Sequence, residues 1–389
     1  MQKLYRDFFS IIKAALTDEP VAIASDIDYE KLFILSKKCK VVPLICHGLY
    51  KALGNFEELE VFKKYTFFMI GHDQNLMSCL KKIENIFADN GIDYMLLKGS
   101  SIKHLYPSSE CRLMGDADIL IKEAQYNTIK ELMPQLGLVD KGESDHEHIW
   151  VGQGGIVIEL HKRLIPSYND DYYAYYRNPW KKAAFNNNHR FSMTKEDEYI
   201  YLFTHLTKHY RDGSAMFRPL IDMWLFKNKH TLLNMEYIRK ELEKLELTEF
   251  HNNIWDTLDV WFNEKEETEL TEFITEQTFE VDRKARLDAA NAARISARSD
   301  SVASAKAKTI KNLIFLPMAI MKTKFPILEK LPFLLPIMWV VRWIDAIFHK
   351  KKSITHETNR LNKMDNETVD AYNNDLNKVG LKYNLKKDK

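Results

Sequence analysis

Apolar residues recur every three or four positions in the first part of the chain, and this period predicts α-helices. The runs with this period cover residues 4–16, 29–53 and 56–90. Pro43 is expected to divide the second run, because proline lacks the N–H that a helix interior requires. The third run stops just before Gly91, and glycine readily takes the left-handed conformation that ends many helices. We therefore expect residues 1–90 to form a helical cap.

Beyond Gly91 the apolar runs become short, which predicts β-strands. We expect strands over residues 94–98, 116–121, 146–151, 156–161 and 189–193, and helices over 102–106 and 125–136. The glycine-rich residues 152–155 are expected to connect two of the strands as an antiparallel hairpin. The last strand would lie at an edge of the sheet. Residues 91–193 are thus predicted to form a small mixed sheet with flanking helices.

Helical spacing returns after Thr194, a residue type suited to capping a helix that starts there. Residues 194–280 are predicted to form a helical bundle. Within the next part, 281–350, residues 284–311 are rich in alanine, serine and basic residues and predict an exposed helix or connector. Residues 351–389 form a polar tail that we expect to be partly disordered. The predicted fold class is α+β, a small mixed sheet with an N-terminal helical cap and a C-terminal helical bundle.

The segment from 314 to 348 is apolar but is interrupted by prolines and basic residues. Its longest clean apolar run, 331–341, is too short to span a bilayer. Two interpretations remain open: the segment packs back onto the bundle, or residues 331–352 make a peripheral membrane contact. In the second case Trp339 and Trp343 would sit at the interface beside Lys350 to Lys352.

Composition narrows the class of protein. The chain has 389 residues and a formal net charge of +1, which argues against a general nucleic-acid-binding protein because such proteins carry a basic field. The four cysteines show no metal-binding spacing and predict thiols in a reducing compartment. The first residues lack the pattern of a signal peptide. We therefore expect a cytoplasmic protein.

The candidate chemistry lies in the predicted sheet. An apolar run ends at Lys98-Gly99-Ser100, which predicts a tight turn before a helix whose N–H groups can bind phosphate. Asp116 and Asp118 are two residues apart in a predicted strand, so their side chains point to the same face. Like charges held together need a cation, and Mg²⁺ prefers a few carboxylate oxygens plus substrate phosphates.

A third carboxylate, Glu159, occupies an otherwise core-like strand, where an unpaired acid is costly. His161 would lie on the same face of that strand and could orient a ligand of the metal. His146 and His148 are expected to share a face of the hairpin and to be exposed.

Together these motifs resemble those of the bacterial family of uncharacterised nucleotidyltransferases, within the superfamily typified by DNA polymerase beta. The matching segments are Leu97-Lys98-Gly99, Arg112 to Asp118, Glu159-Leu160-His161, His205 to His209, Arg218 to Asp222 and a late segment ending near Arg342. The gap between Ser100 and Asp116 is longer than in the compact superfamily pattern. The resemblance implies a nucleotidyltransferase core at 91–193.

The resemblance also implies roles for single residues. Asp116, Asp118 and Glu159 would be catalytic and would bind two Mg²⁺ ions. An NTP would be bound by Lys98, Gly99, Ser100, Arg112, His161, His205, His209 and Arg218. For the two helical histidines a structural role, hydrogen-bonded between helix and sheet, is an open alternative, as is zinc ligation at their spacing of four. For Arg218 the alternative is a local ion pair with Asp222.

The leading hypothesis is therefore a Mg²⁺-dependent enzyme that transfers an NMP group from an NTP to the hydroxyl of an unknown acceptor. The acceptor would be a small molecule or a protein, with RNA disfavoured by the near-neutral charge. Two alternatives stay open. One is a non-catalytic nucleotide-binding or antitoxin-like interaction module, and the other is a membrane-associated factor in surface glycan assembly.

Overall fold

The computed structural model describes residues 1–169, 171–214, 217–297, 299, 301–349, 361 and 364–383, apart from the side chains of 319, 323 and 347–349. The chain divides into two compact units. Unit 1 comprises Met1–Lys208 and Met216–Phe279, and unit 2 comprises His209–Ala215 and Glu280–Lys389.

Unit 1 combines helices with one sheet. Its helices are α1 (Lys3–Leu16), α2 (Tyr29–Cys39), α3 (Val42–Leu53), α4 (Leu59–Asp89), α5 (Gly99–Ile102), α6 (Tyr126–Leu132), α7 (Lys195–Arg211, whose last turn belongs to unit 2), α8 (Phe217–Lys229), α9 (Met235–Lys244), α10 (Thr248–Phe262) and α11 (Glu269–Phe279). Its strands are β1 (Tyr94–Leu96), β2 (Ala117–Ile121), β3 (Val139–Glu143), β4 (Glu147–Val151), β5 (Val157–His161), β6 (Ala183–Asn187) and β7 (Arg190–Met193).

The seven strands form one mixed sheet in the order β3-β4-β5-β2-β1-β7-β6. The β1–β7 and β2–β5 pairs are parallel, and the other pairs are antiparallel. One face of the sheet is apolar and packs against α4 and α6, with Ile83, Phe87, Ile119, Ile129 and Leu160 in the shared core. Because side chains alternate along a strand, the polar residues between these core positions point to the opposite face.

The predicted α+β class, with a mixed sheet and helices at both ends of the chain, is confirmed. Pro43 separates α2 from α3 as expected. Gly91 follows α4 with a φ of 66°, and the hydroxyl of Thr194 accepts a 3.1 Å hydrogen bond from the N–H of Asp197 at the start of α7. The β4–β5 hairpin is also confirmed.

Two expectations about elements were wrong, and two strands were missed. The strand expected at the sheet edge, β7, lies between β1 and β6, because the unpredicted strand β6 covers its outer side. β3 was also missed, since it is exposed throughout and has no alternating apolar pattern. The helix expected over 102–106 instead begins at Gly99 and continues as a 3₁₀ turn over Lys103–Leu105.

The first helix joins the core of the bundle. Phe9 of α1 stacks on Trp261 of α10 with ring centroids 4.7 Å apart. Phe8 lies 5.1 Å from Phe217 of α8, and Phe279 of α11 contacts both phenylalanines of α1. Large aromatic side chains supply much of a core's buried area. The helices before and after the sheet thus share one aromatic cluster in unit 1.

Unit 2 is helical where the structure describes it. It contains α12 (Arg283–Ser296), α13 (Val302–Ile314), α14 (Met318–Lys324), α15 (Ile327–Lys330), α16 (Leu335–His349) and α17 (Asn366–Lys378). The predicted connector over 284–311 is two helices, of which α12 buries Arg286 and several alanines. α17 shows that part of the expected polar tail is folded. The predictions for 350–360, 362–363 and 384–389 lie outside the described residues.

In the proline-rich segment, the indole N–H of Trp339 donates to the carbonyl of Leu316, and that of Trp343 to the carbonyl of Ile314. These bonds fold the segment onto α13. A stripe of α16 that includes Ile337, Val340 and Ile344 is nevertheless exposed. No helix among the described residues is long and apolar enough to cross a membrane.

Candidate active site

Two acidic side chains meet on the polar face of the sheet. In the parallel β2–β5 pair, Asp118 lies directly opposite Glu159, and the two carboxylates and the imidazole of His161 each offer one ligand atom within 4.8 Å of the others. Asp118 is only 5% exposed, whereas Glu159 is half-buried. The strand pairing thus places Glu159 beside Asp118, whereas Asp116 is not part of this group.

Asp118 already has two positive or polar partners. Its Oδ1 lies 2.6 Å from the ammonium of Lys98 and 2.8 Å from Nε2 of His161. Burial alone would raise the pKa of Asp118, but the charge of Lys98 and the hydrogen bond from His161 hold it well below its usual value. Burial likewise opposes the charged form of Lys98, yet Asp118 keeps the pKa of the ammonium raised.

Asp116 has a different environment. It precedes β2 instead of lying within it, and it is exposed. Desolvation raises its pKa, and the charges of Asp118 and Glu159 raise it further. An added cation would relieve this repulsion.

The Gly99-Ser100 turn lies next to these acids. Lys98 has a φ of 50°, a conformation that non-glycine residues rarely adopt and that is typical of functional sites. The N–H groups of Ser100 and Ser101 donate to the carbonyls of Leu97 and Lys98, so the turn uses them internally. A Cβ on Gly99 would lie 3.1 Å from Sδ of Met114.

The loop between this turn and Asp116 is held by a buried ion pair. Arg112 donates from Nε and Nη2 to the two oxygens of Asp222, both at 2.7 Å, and Tyr106 donates to the same carboxylate at 2.6 Å. The remaining guanidinium nitrogen of Arg112 bonds to the carbonyl of Leu113. Arg218 donates to that carbonyl too, at 2.7 Å.

The local ion pair considered for Arg218 and Asp222 is therefore not formed; Asp222 instead binds a residue 110 positions earlier. Helical spacing suggested the nearer partner, but the longer connection can be seen only once the chain is folded. The contact of Arg112 and Arg218 with a nucleotide stays a prediction.

The predicted histidines fall into different surroundings. His205 and His209 are half-buried on α7, and the ring of His205 lies 6.3 Å from that of Tyr201. The nucleotide-binding roles of both stay predictions. His146 and His148 were expected to be exposed on one face, which is wrong: both are buried. His148 stacks on Trp150 on the core side, whereas His146 lies 5.8 Å from the ring of His161.

A pocket adjoins Lys98 on the same face of the sheet. Its lining includes Met95, Lys98, Ser101, Phe191, Glu198 and Tyr201. Ser101 and Lys195 both bind the buried carboxylate of Glu198, at 2.7 and 2.9 Å. The phenol oxygen of Tyr201 is buried and has no hydrogen-bond partner among the described residues.

Sequence reasoning missed Tyr201 and Glu198 because both lie within a helical pattern that core packing alone would explain. Glu198 could have been identified from the sequence, because it is an acidic residue on the side of α7 that is buried. No such signal marks Tyr201, since a buried tyrosine is ordinary.

Comparisons with known proteins place the chain in a family. Neither the curated proteins nor the solved structures include a significant match. The family model described as "Uncharacterised nucleotidyltransferase" matches residues 25–263, a range that contains the sheet and every residue discussed in this subsection. This match covers most of the chain, so the chain belongs to the family of uncharacterised nucleotidyltransferases.

Proposed function

We propose that this chain transfers an NMP group from an NTP to an acceptor hydroxyl, and that it requires Mg²⁺. Membership in the family supports the general role in nucleotidyl transfer. The observation that carries the metal-dependent reaction is the facing of Asp118 and Glu159 on paired strands, with ligand atoms of both within 4.8 Å of each other. The fold would be that of the DNA polymerase beta-like superfamily.

The residues present fit a hard divalent cation. Carboxylate oxygens are the ligands that Mg²⁺ prefers, together with phosphate oxygens of the substrate. Asp118 and Glu159 would supply them, and Asp116, whose pKa is raised by desolvation and further by the charges of these two acids, would complete the set. When bound, Mg²⁺ neutralises charge that develops on the phosphates during transfer.

The protein's own residues would then position the reactants. Glu159 accepts the proton of the acceptor hydroxyl as that oxygen bonds to the α-phosphorus. The bond from this phosphorus to the bridging oxygen breaks, and pyrophosphate leaves. The pocket beside Lys98 takes the nucleotide, with the phenol of Tyr201 as a hydrogen-bonding group and Gly99 at the polyphosphate.

Lys98 would change partners during binding. Its ammonium contacts Asp118 at 2.6 Å and so occupies an oxygen that a metal ion would use. We expect Lys98 to move to a phosphate when nucleotide and metal enter. Lys98→Met should therefore strengthen the binding of Mn²⁺ alone while weakening that of NTP, both measured by calorimetry. Weaker Mn²⁺ binding in this variant would contradict the exchange.

Turnover tests the proposal directly. Purified protein is incubated with each NTP, Mg²⁺ and a mixture of small-molecule and protein acceptors, and pyrophosphate release is measured. Asp116→Asn should fold normally, since removing one clustered charge relieves repulsion, and should lower turnover by about a hundredfold or more. Asp89→Asn, an exposed acid at the end of α4, is the control with the same loss of charge.

Normal turnover in Asp116→Asn would contradict its role in metal binding. The bonds of Asp118 to Lys98 and His161 favour one alternative, a nucleotide-binding module without catalysis, because they already neutralise this carboxylate. NTP binding without pyrophosphate release from any nucleotide would support that alternative. The cytoplasmic location and the peripheral membrane contact through 331–352 remain predictions.

A further inference from the structure

We propose that His146, Glu147 and His161 form a second metal site, which binds a divalent transition ion such as Zn²⁺. This inference does not rest on nucleotidyl transfer. It follows from the ends of two paired strands, where two buried imidazoles and a carboxylate come together.

The backbone places these residues side by side. Glu147, the first residue of β4, pairs directly with His161, the last residue of β5. Side chains that are directly opposite in an antiparallel pair have Cβ atoms about 5 Å apart and point to the same face. Pairing continues one residue further, because the N–H of Lys162 donates to the carbonyl of His146 at 2.8 Å. Glu147 and His161 are therefore held by regular sheet backbone, and His146 lies in the bend just before β4, where this bond fixes it beside them and the strict alternation of faces no longer applies.

The side chains converge on one point. One ligand atom from each residue lies within 4.8 Å of the other two. Nε2 of His146 is 3.0 Å from Oε2 of Glu147. Ligands of a tetrahedral ion with bonds of about 2.0–2.1 Å are roughly 3.3 Å apart, so small side-chain rotations would bring the group into coordination. His146 and His161 are 8% and 2% exposed, which excludes an ordinary surface cluster.

Each histidine has one ring nitrogen occupied by a polar group outside the cluster. Nδ1 of His146 is 3.3 Å from the hydroxyl of Ser144, which leaves Nε2 for the ion. Nε2 of His161 is 2.8 Å from Asp118, and a carboxylate can only accept, so this nitrogen carries the hydrogen. Histidines that bind metals commonly donate their other N–H to a carboxylate in this way.

In the neutral ring, which a metal ligand must be, this hydrogen bond leaves Nδ1 of His161 as the nitrogen with a lone pair. That atom is buried and has no hydrogen-bond partner among the described residues. Burying a polar atom without a partner is costly, so an unpaired nitrogen in this position needs an explanation. A bound cation supplies one.

The donor set selects the kind of ion. Two imidazoles and one carboxylate suit Zn²⁺ and its neighbours in the first transition row, whereas Mg²⁺ prefers oxygen ligands only. Three protein ligands leave a fourth position for water or a substrate atom. The group formed by Asp118, Glu159 and His161 shares one histidine with this site but is richer in oxygen. Substitutions of residues that belong to only one of the two groups can therefore show which group binds the ion.

The test uses the full-length chain, freed of metal with a chelator. Calorimetric titration with Zn²⁺ should show one tight site that excess Mg²⁺ does not displace. His146→Gln and Glu147→Gln should each weaken Zn²⁺ binding on the order of a hundredfold, whereas Asp118→Asn, which keeps an acceptor for His161, should weaken it about tenfold, the lower end of what loss of such a partner costs. His104→Gln removes an exposed histidine outside the cluster and should not change the affinity.

A second measurement checks that the variants are folded. Zn²⁺ should raise the melting temperature of the wild type and not that of His146→Gln, because only a ligand of the native state stabilises it. Absorption of bound Co²⁺ should change in His146→Gln. The absence of a stoichiometric site, or unchanged affinity in both His146→Gln and Glu147→Gln, would overturn the proposal. So would a loss of binding in Asp118→Asn as large as that in His146→Gln, which would place the ion in the acidic group.

Discussion

Tyr201 lines the pocket beside Lys98, and its buried phenol oxygen has no hydrogen-bond partner among the described residues. Burial raises its pKa, and the charges of Asp118 and Glu159 act in the same direction while Lys98 opposes them. The phenol therefore stays neutral and can donate a hydrogen bond to a ligand. At the scale of single residues, we therefore expect this hydroxyl to bond to an atom of the nucleotide.

We expect Tyr201→Phe to weaken NTP binding roughly tenfold while leaving the free energy of unfolding unchanged or slightly higher, because the lost hydroxyl has no partner in the protein. Tyr176→Phe is the matched control. The hydroxyl of Tyr176 bonds to Thr204 at 2.9 Å, so its loss should cost about 1 kcal/mol and not affect NTP binding. Urea unfolding and calorimetry measure the two effects. A destabilised Tyr201→Phe with normal NTP affinity would show that the phenol is structural.

At the scale of elements, the Gly99 turn packs against the loop before Asp116, so a change in the turn affects the loop. The φ of Gly99 is ordinary, so alanine is tolerated by the backbone, but its Cβ would lie 3.1 Å from Met114 and 3.5 Å from Arg112. A methionine side chain can move by the few tenths of an ångström required. The loop that carries Asp116 would thus be displaced without a large loss of stability.

Gly99→Ala should therefore change the free energy of unfolding by less than about 1 kcal/mol and still reduce NTP affinity, measured by titration with Mg²⁺ present. Gly71→Ala is the control. Gly71 lies inside α4 with nothing within 4 Å of its Cβ position, so alanine there should stabilise the protein by about 0.5–1 kcal/mol and leave NTP binding unchanged. Normal NTP affinity in Gly99→Ala would mean that the turn only ends a strand.

The ion pair of Arg112 and Asp222 joins that loop to α8. Asp222→Asn should destabilise the protein by about 3–5 kcal/mol, because it leaves a buried guanidinium without its charge partner. Glu243→Gln removes the exposed partner of Arg239 and should cost less than about 0.5 kcal/mol. Urea unfolding compares the two. A cost below 1 kcal/mol for Asp222→Asn would show that the loop is held by its other contacts.

At the scale of the whole molecule, the stability of the fold should depend on pH through His251. Nε2 of His251 is 2.7 Å from the hydroxyl of Tyr199, which in turn accepts from the indole N–H of Trp255 at 2.7 Å. Burial lowers the pKa of His251 to about 4, so the native state holds it neutral. The unfolded chain has a histidine pKa of about 6.5 and binds the proton first.

The contribution of neutral His251 to the free energy of unfolding should consequently be complete above pH 6.5. It should fall as the pH drops from 6.5 towards 4. His251→Gln, which retains an acceptor for Tyr199 but does not titrate, should show a smaller decrease over this range. Melting temperatures at intervals between pH 7.5 and 4.5 measure both proteins. Equal pH dependence of the two would show that His251 is protonated in the native state too.

The amino-acid sequence determined the local features, because they depend on neighbours along the chain. Apolar spacing predicted the helices and most strands, and Pro43 and Gly91 marked boundaries. The order of Gly-Ser, Asp-x-Asp and Glu predicted a group of three acids, of which Asp118 and Glu159 face each other while the place of Asp116 stays a prediction. Tertiary structure decided which groups are partners. The binding of Lys98 to Asp118, the pairing of Arg112 with Asp222, and the burial of His146 beside His161 all join residues 15 or more positions apart. Such contacts depend on strand order and helix packing, and no periodicity in a single sequence encodes them.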